Sequence, residues 1–456
     1  MHDIFVKDLI NICNCKLIIG EHDIVLDNFS KDTRTMNAGD IYIGIKGETF
    51  EGSNLYKDAL EKGAKGCILN NIELDMDYLN KYKDRFVVVC DNTIECIQNL
   101  AKYKRSLYDI PVVGVTGSVG KTSTKDIIAS VLSKKFNVLK TEGNYNNHIG
   151  VPLTILRLKN HDALVVEMGM NNLGEISVLS KIARPTVGVI TNVGTAHIGN
   201  LGSRENILKA KMEILDGMDK GVLVINNDND LLHNYYLKED SYKNIITYGI
   251  SNDSNYMASN IKYNIDNSEF TVTLDGTMYK FTVGMPGEAF IYNSLCAISV
   301  AKLFNIDYED ILDGIKSFSL SKRRMEIEII KDITIINDCY NANLDSMKMA
   351  IKYLGSINKR KIAVLGDMLE LGKYSYELHK EVGECLKDNN IDIVITVGNN
   401  SKVIKEVYNK EIYSYDNNED ACDKLKSIIR KDDAVLIKAS NSMHFNEIYE
   451  YLKHNI

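Results

Sequence analysis

The chain has 456 residues, 45% hydrophobic and 25% charged, a length that suggests about three domains, each large enough for its own core. That balance excludes a largely disordered chain, and a net charge of -8 argues against an extended nucleic-acid surface, which needs a basic face. The nine cysteines form no paired C-x-x-C clusters and no His/Cys set with zinc spacing; only Cys13 and Cys15 stand close, and both read as core or surface thiols.

The first residues, Met1 to Asp8, carry charges where a signal peptide needs an apolar run, and no stretch approaches about 18 uncharged apolar residues. A cytoplasmic location is the expectation. Residues 1–109 read as a small α/β region, with strands at Ile41–Ile45, Gly66–Leu69 and Phe86–Val89 and helices at Asn54–Glu61 and Thr93–Ser106. The turn clusters Ser30–Arg34 and Lys46–Gly52 hold Thr33, Arg34 and Lys46, the last two being candidate anion contacts.

The central region, 110–321, opens on Val112-Val113-Gly114-Val115-Thr116-Gly117-Ser118-Val119-Gly120-Lys121-Thr122-Ser123, a β-branched run, a Gly-rich turn and the start of a helical pattern. This is the context of a phosphate-binding loop. Gly117 and Gly120 allow backbone N–H groups to converge on phosphate oxygens, Lys121 adds a positive charge, and the Thr122 hydroxyl suits a magnesium ion. The first Gly stands at 114, where the strict G-x-x-x-x-G-K-[ST] spacing puts it at 115.

Downstream, the loop Thr141–Pro152 gathers Asn144, Asn146, Asn147 and His148, either a polar site or an exposed turn. Ala163–Val166 reads as a fully buried strand ending in Glu167, where nucleotide-binding folds place a metal ligand or a water-positioning group. A Glu satisfied by nearby N–H groups is the structural alternative. The strand Thr186–Ile190 leads to His197, a candidate metal ligand or general base. A helix from about Ser203 to Leu215 carries Lys209 and Lys211. Gly221–Ile225 continues the sheet. From Ile245 to Val283, alternating segments around Asp275-Gly276 suggest antiparallel hairpins at the sheet margin, and a helix follows through Asn293.

Residues 322–456 repeat the α/β rhythm, with strands at Ile333–Ile336, Lys361–Leu365, Ile393–Val397 and Ala434–Ile437. Each precedes a helical pattern, which implies a parallel, doubly wound sheet. Polar runs at the strand ends include Asp338, Tyr340, Asn341, Asn343 and Asp367. The overall expectation is an α/β protein of three domains: a small α/β N-terminal domain, a central P-loop ATPase domain with a mainly parallel sheet, and a Rossmann-like C-terminal domain.

These residues together resemble the Mur ligases, the ATP-dependent amide-forming enzymes of peptidoglycan precursor synthesis. The resemblance spans the whole chain. It is carried by Gly114–Thr122, which includes the displaced Gly114, and by Thr141–Pro152, Glu167-Met168-Gly169, Thr191–His197, Lys209-Ala210-Lys211, Asp338–Asn343 and Gly366–Gly372. The last two strings point to the branch that adds D-alanyl-D-alanine. The resemblance implies ATP and Mg2+ as cofactors, with Gly117, Ser118, Gly120, Lys121, Thr122 and Ser123 around the phosphates. Asn293, Arg324 and Asp338 would meet the adenine, phosphate and ribose parts.

It also implies Thr122 and Glu167 on one magnesium and His197 on a second, bridged by Lys211 if that lysine is carbamylated. Lys121, Glu167, His197 and Lys211 are the catalytic set. Thr33, Arg34 and Lys46 would contact the sugar nucleotide; Asn144, Asn146, Asn147, Tyr340, Asn341, Asn343 and Asp367 complete the substrate contacts. The implied partners are UDP-N-acetylmuramoyl-tripeptide and D-alanyl-D-alanine, with no nucleic acid, no transmembrane segment and a monomeric chain. Against the family pattern stand Asn229, Ala289-Phe290, Lys322, Leu344 and Asn441, the last removing an anion clamp. The competing readings are a sister ligase that adds one amino acid, a folylpolyglutamate synthase, and a nucleotide-dependent switch without ligation chemistry.

Overall fold

Val112–Thr116 and Ala163–Glu167 are buried along their whole length. Continuous apolar runs of this kind form where helices cover both faces of a parallel sheet. The computed structural model describes every residue except Met1, 239–241, Ile265, 320–322 and Ile456; the expected division at 321/322 and the departure at Lys322 lie outside the described residues.

The central sheet runs Tyr256–Met257, Ile245–Gly249, Val222–Asn226, Val187–Ile190, Val112–Thr116, Ala163–Glu167, Val138–Lys140, all parallel. The phosphate-loop strand therefore lies between its two partners, with Val115 paired to Glu167 and Thr116 to Ile190. Three adjacent strands release their loops at one edge, the crevice where open α/β sheets bind ligands.

One expectation needs correction here. Ile245–Gly249 and Tyr256–Met257 extend the parallel sheet and do not form marginal hairpins. The helix Asp230–Tyr236 lies between Val222–Asn226 and Ile245–Gly249 and supplies the crossover that parallel neighbours need. Only Ser259–Tyr263, Ser268–Leu274 and Thr277–Val283 are antiparallel, in a separate sheet. Asp275 and Gly276, with φ of 49° and 81°, make the two-residue turn there.

The helix Lys121–Leu132 buries Ile127, Ile128 and Val131 against Val113, Val115 and Val165 of the sheet and against Leu295 and Ile298 of the helix Glu288–Leu303. Gly314, on the helix Tyr308–Ser317, lets that helix lie on Val131, where a Cβ would fall 2.6 Å from the Val131 Cα. The helix read as Ser203–Leu215 spans Arg204–Met212 and ends in a 3₁₀ turn.

Flanking the central sheet, the N-terminal sheet runs Lys16–Ile19, Phe86–Cys90, Gly66–Asn70, Ile41–Ile43, Phe29–Ser30, with only the first strand antiparallel. The C-terminal sheet runs Glu326–Ile330, Ile333–Asn337, Asp433–Lys438, Arg360–Gly366, Ile393–Val397, Glu411–Tyr415. Its last strand in sequence, Asp433–Lys438, inserts between Ile333–Asn337 and Arg360–Gly366, so the loops bearing Asp338 and Asp367 flank it. Glu326–Ile330 is antiparallel, so this sheet is not wholly parallel as expected. That strand is only partly buried and lacks the continuous apolar signature of its neighbours.

Among the described residues, no helix is long and apolar enough to cross a membrane.

Candidate active site

Gly120 caps the helix Lys121–Leu132 at φ 83°, a conformation that disfavours any side chain, and a Cβ there would meet Asn293 Oδ1 at 3.1 Å. At Gly117 a Cβ would strike Thr191 Oγ1. Close approach of the Thr191 and Asn293 side chains, and not turn formation alone, fixes these two glycines. Lys121 Nζ folds back on Gly117 O at 2.8 Å. The N–H groups of Ser118 and Val119 both donate to Asn192 Oδ1 at 2.9 Å, and Ser118 Oγ accepts from Gly194 N. Asn192 lies one residue past a strand-end Thr in a run the sequence reading quoted, where only His197 drew attention.

Thr122 Oγ1 donates to Glu167 Oε2 at 2.8 Å, and Asn146 Nδ2 donates to Oε1 of the same carboxylate at 2.8 Å. Glu167 is 2% exposed. Hydroxyl and carboxylate oxygens converging beside a phosphate loop are the hard donors a magnesium ion prefers, so the residues present fit such an ion. Burial lowers the proton affinity of Lys121 against the opposing pull of Glu167, and Arg324 lowers it further. Lys211 is 1% exposed; burial first, and the charge of Lys121 second, hold its ammonium well below the usual range. Among the described residues no carboxylate forms an ion pair with it.

His197, at φ 63°, places Nδ1 2.7 Å from Glu370 Oε2, an ion pair without the alignment of a hydrogen bond. The imidazole holds the Glu370 carboxyl below its ordinary value. This leaves Nε2 as the nitrogen that can face a ligand, the arrangement in which a carboxylate orients a metal-binding histidine. Glu370 comes from the C-terminal region and was missed as a site residue, although it stands inside the quoted run Gly366–Gly372.

Other residues divide between the loop and structural duties. Asn293 Oδ1 accepts from Thr124 Oγ1 at 3.0 Å, beside Gly120. Arg324 stacks 3.9 Å from the Tyr340 ring and acts on Lys121. Asn343 caps the helix Leu344–Ser356 and reaches Ser118 O at 3.5 Å. Asp345, unforeseen, accepts from Thr195 N and Oγ1.

Asp338 pairs with the buried Lys438 at 2.5 Å, and Lys438 also donates to Asn341 O. The Asp367 carboxylate takes the N–H groups of Asn400 and Ser401, ordering a neighbouring loop. Asn147 Oδ1 accepts from Ile149 N and Gly150 N, and Asn144 O from Asn146 N. Ser123 follows Thr122 on the first helical turn. In the N-terminal region Arg34 is held by Asp32 at 2.9 and 2.7 Å, Thr33 is buried, and the backbone of Lys46 forms an isolated antiparallel β-bridge with that of Glu51. Among the described residues none of these three bonds to the phosphate loop. A cleft lined by Ser30, Lys31, Asp32, Tyr145 and Arg157 instead joins that region to the Asn144–Asn147 loop.

Of the departures, Phe290 is core, Asn229 caps the helix Asp230–Tyr236, and Leu344 is buried at the first turn after Asn343.

Residues 115–301 match the Mur ligase middle domain, and residues 323–441 match the Mur ligase, glutamate ligase domain. The chain is 36% identical over 438 residues to UDP-N-acetylmuramoyl-tripeptide--D-alanyl-D-alanine ligase of Bacillus subtilis, covering 94% of this chain and 93% of the relative. The MurF crystal structure from Acinetobacter baumannii superposes with a TM-score of 0.89 at 26% identity, covering 100% of this chain and 99% of the other. MurF ligase from Thermotoga maritima in complex with ADP gives 0.82 at 28% identity, covering 94% and 98%. With the phosphate loop, the Thr122–Glu167 pair and both family domains present along its length, the chain belongs to the Mur ligase family.

Proposed function

We propose that this chain joins D-alanyl-D-alanine to the free carboxylate of a UDP-N-acetylmuramoyl-tripeptide, releasing ADP and phosphate. The observation that carries the reading is end-to-end similarity to a ligase of that name, in a chain whose phosphate loop faces Thr122 and Glu167. A carboxylate resists amine attack because its oxide is a poor leaving group. Its oxygen therefore attacks the γ-phosphorus of ATP, ADP leaves, and an acyl phosphate forms. The dipeptide amine then attacks the acyl carbon, phosphate leaves, and the amine surrenders a proton to solvent or a base. With an unperturbed pKa of about 8, much of that amine is protonated at neutral pH until the site desolvates it or a base acts.

In this reading Lys121 and the N–H groups of Gly117–Thr122 stabilise charge gathering on the γ-phosphoryl group. Lys121 must leave Gly117 O to do so, and the Ser118 and Val119 N–H groups must leave Asn192. Magnesium, when bound, would neutralise phosphate charge, with Thr122 and Glu167 as holders of one ion and His197 and a carbamylated Lys211 of a second. The lowered proton affinity of Lys211 supports that modification, since only a neutral amine adds carbon dioxide. Asn293, Arg324 and Asp338 are assigned to ATP. Thr33, Arg34 and Lys46 are assigned to the sugar nucleotide; Asn144, Asn146, Asn147, Tyr340, Asn341, Asn343 and Asp367 complete the peptide and dipeptide contacts.

The division of labour follows the chain: residues 1–109 for the sugar nucleotide, 110–321 for ATP, 322–456 for the dipeptide. We assign the protein to the cytoplasm as a monomer. A panel offering D-alanyl-D-alanine against single amino acids, with product mass as readout, tests the reading. The pentapeptide product is expected with the dipeptide alone; a product carrying one added amino acid would assign the chain to a sister activity.

A further inference from the structure

Three of the nine cysteines, scattered in sequence, meet in one place in the N-terminal region. Cys13 ends the helix Val6–Cys13, and Asn14 in the left-handed conformation turns the chain so that Cys15 enters the strand Lys16–Ile19. That strand pairs antiparallel with Phe86–Cys90, Lys16 opposite Val89, which carries Cys15 opposite Cys90. Cys96 lies in the first turn of the helix Thr93–Ser106. The Cys13, Cys15 and Cys96 sulfurs lie within 4.8 Å of one another, and the buried Cys90 thiol, which donates to Leu69 O at 3.5 Å, lies outside that set.

We propose that Cys13, Cys15 and Cys96 form a thiolate site for a zinc ion, which staples the first helix and strand of the N-terminal region to the helix Thr93–Ser106. A tetrahedral zinc ion with Zn–S bonds of about 2.3 Å sets its sulfurs about 3.8 Å apart. The Cys15 and Cys96 sulfurs are 3.8 Å apart. Cys15 and Cys96 are buried while Cys13 is half-exposed, which gives the ion a path in. Binding is acid–base and not redox chemistry: each thiol that ligates releases one proton, and no oxidant is required. The remaining six cysteines are singly buried, so one ion per chain follows. The site is independent of the ligase reading.

The test uses the full chain purified under reductant, stripped of metal, and titrated with cobalt(II) and then zinc. Thiolate-to-cobalt charge-transfer absorption saturating at one equivalent, bleached by zinc, is expected. Cys13→Ser, at the half-exposed position, should weaken that absorption and lower zinc retention while its far-ultraviolet circular dichroism stays that of the parent. A parent protein with no charge-transfer band overturns the proposal, whatever the variant's folding. So does an unchanged band in Cys13→Ser together with Cys96→Ser, or a Cys15–Cys96 disulfide in place of bound zinc under reductant.

Discussion

Lys121 and Lys211 are basic side chains that feel one another, yet their surroundings give them different work. Lys121 is half-buried, finds a carbonyl at 2.8 Å and is opposed by Glu167. Replacing it by Ala should lower the ligation rate by about 10²-fold or more, the scale for losing one preorganised charge-stabilising group. The unfolding midpoint should barely move, because its one bond is to the loop itself; initial rates and a thermal melt check both. Lys211 is fully enclosed. Its folded proton affinity lies below the unfolded value of about 10.4. While the amine is unmodified, between those two values the unfolded chain binds the extra proton, so this lysine adds stability as pH rises and takes it away as pH falls. Lys211→Met should flatten that rise and abolish ligation, as urea midpoints across pH 7 to 10 and an activity assay would reveal.

At this scale the sequence named Lys121, Thr122 and Glu167 because loop and strand-end positions follow from local pattern. Asn192, Asp345 and Glu370 escaped, since their importance lies in contacts made across the fold: Asn192 Oδ1 to the loop N–H groups, Asp345 to Thr195, Glu370 to His197. Asp367 and Asp338 show the reverse. Both sit at strand ends as anticipated, but their carboxylates are already engaged, with Asn400 and Ser401 and with Lys438.

Among the elements, the helix Lys121–Leu132 aims the phosphate loop, and its anchor is apolar. Ile128 is fully buried in the cluster that joins this helix to the sheet. Ile128→Ala should cost roughly 2–5 kcal/mol, read as a lower denaturant midpoint with unchanged slope. Continuous apolar strands such as Ala163–Glu167 were legible because burial on both faces leaves an unbroken run. Ile245–Gly249 misled because its first residues are only half-buried, so its pattern looked like that of a marginal hairpin while its partner was decided by the intervening helix. The Asp275-Gly276 turn was readable from its residues, since its positive φ values are a local demand.

Across the whole molecule, the C-terminal region meets the central one through polar contacts, Asp345 with Thr195, Glu370 with His197, Asn343 with Ser118 and Tyr374 with Gly202, and through a shared buried apolar cluster that includes Ile198, Leu201, Met368 and Leu371. Gly199 is pressed against the backbone of Glu370 and Leu371, where any Cβ would collide. These contacts bring Arg324 and Glu370 to the phosphate-loop edge, so the site is assembled from two regions of the chain. An assembled site of this kind should spend ATP only when the acceptor and the amine are both in place. The direct test is ADP formation by the purified chain with ATP, UDP-N-acetylmuramoyl-tripeptide and D-alanyl-D-alanine, omitting each in turn. The account predicts sustained ADP release only with all three present; equal ATP turnover without the dipeptide would contradict it.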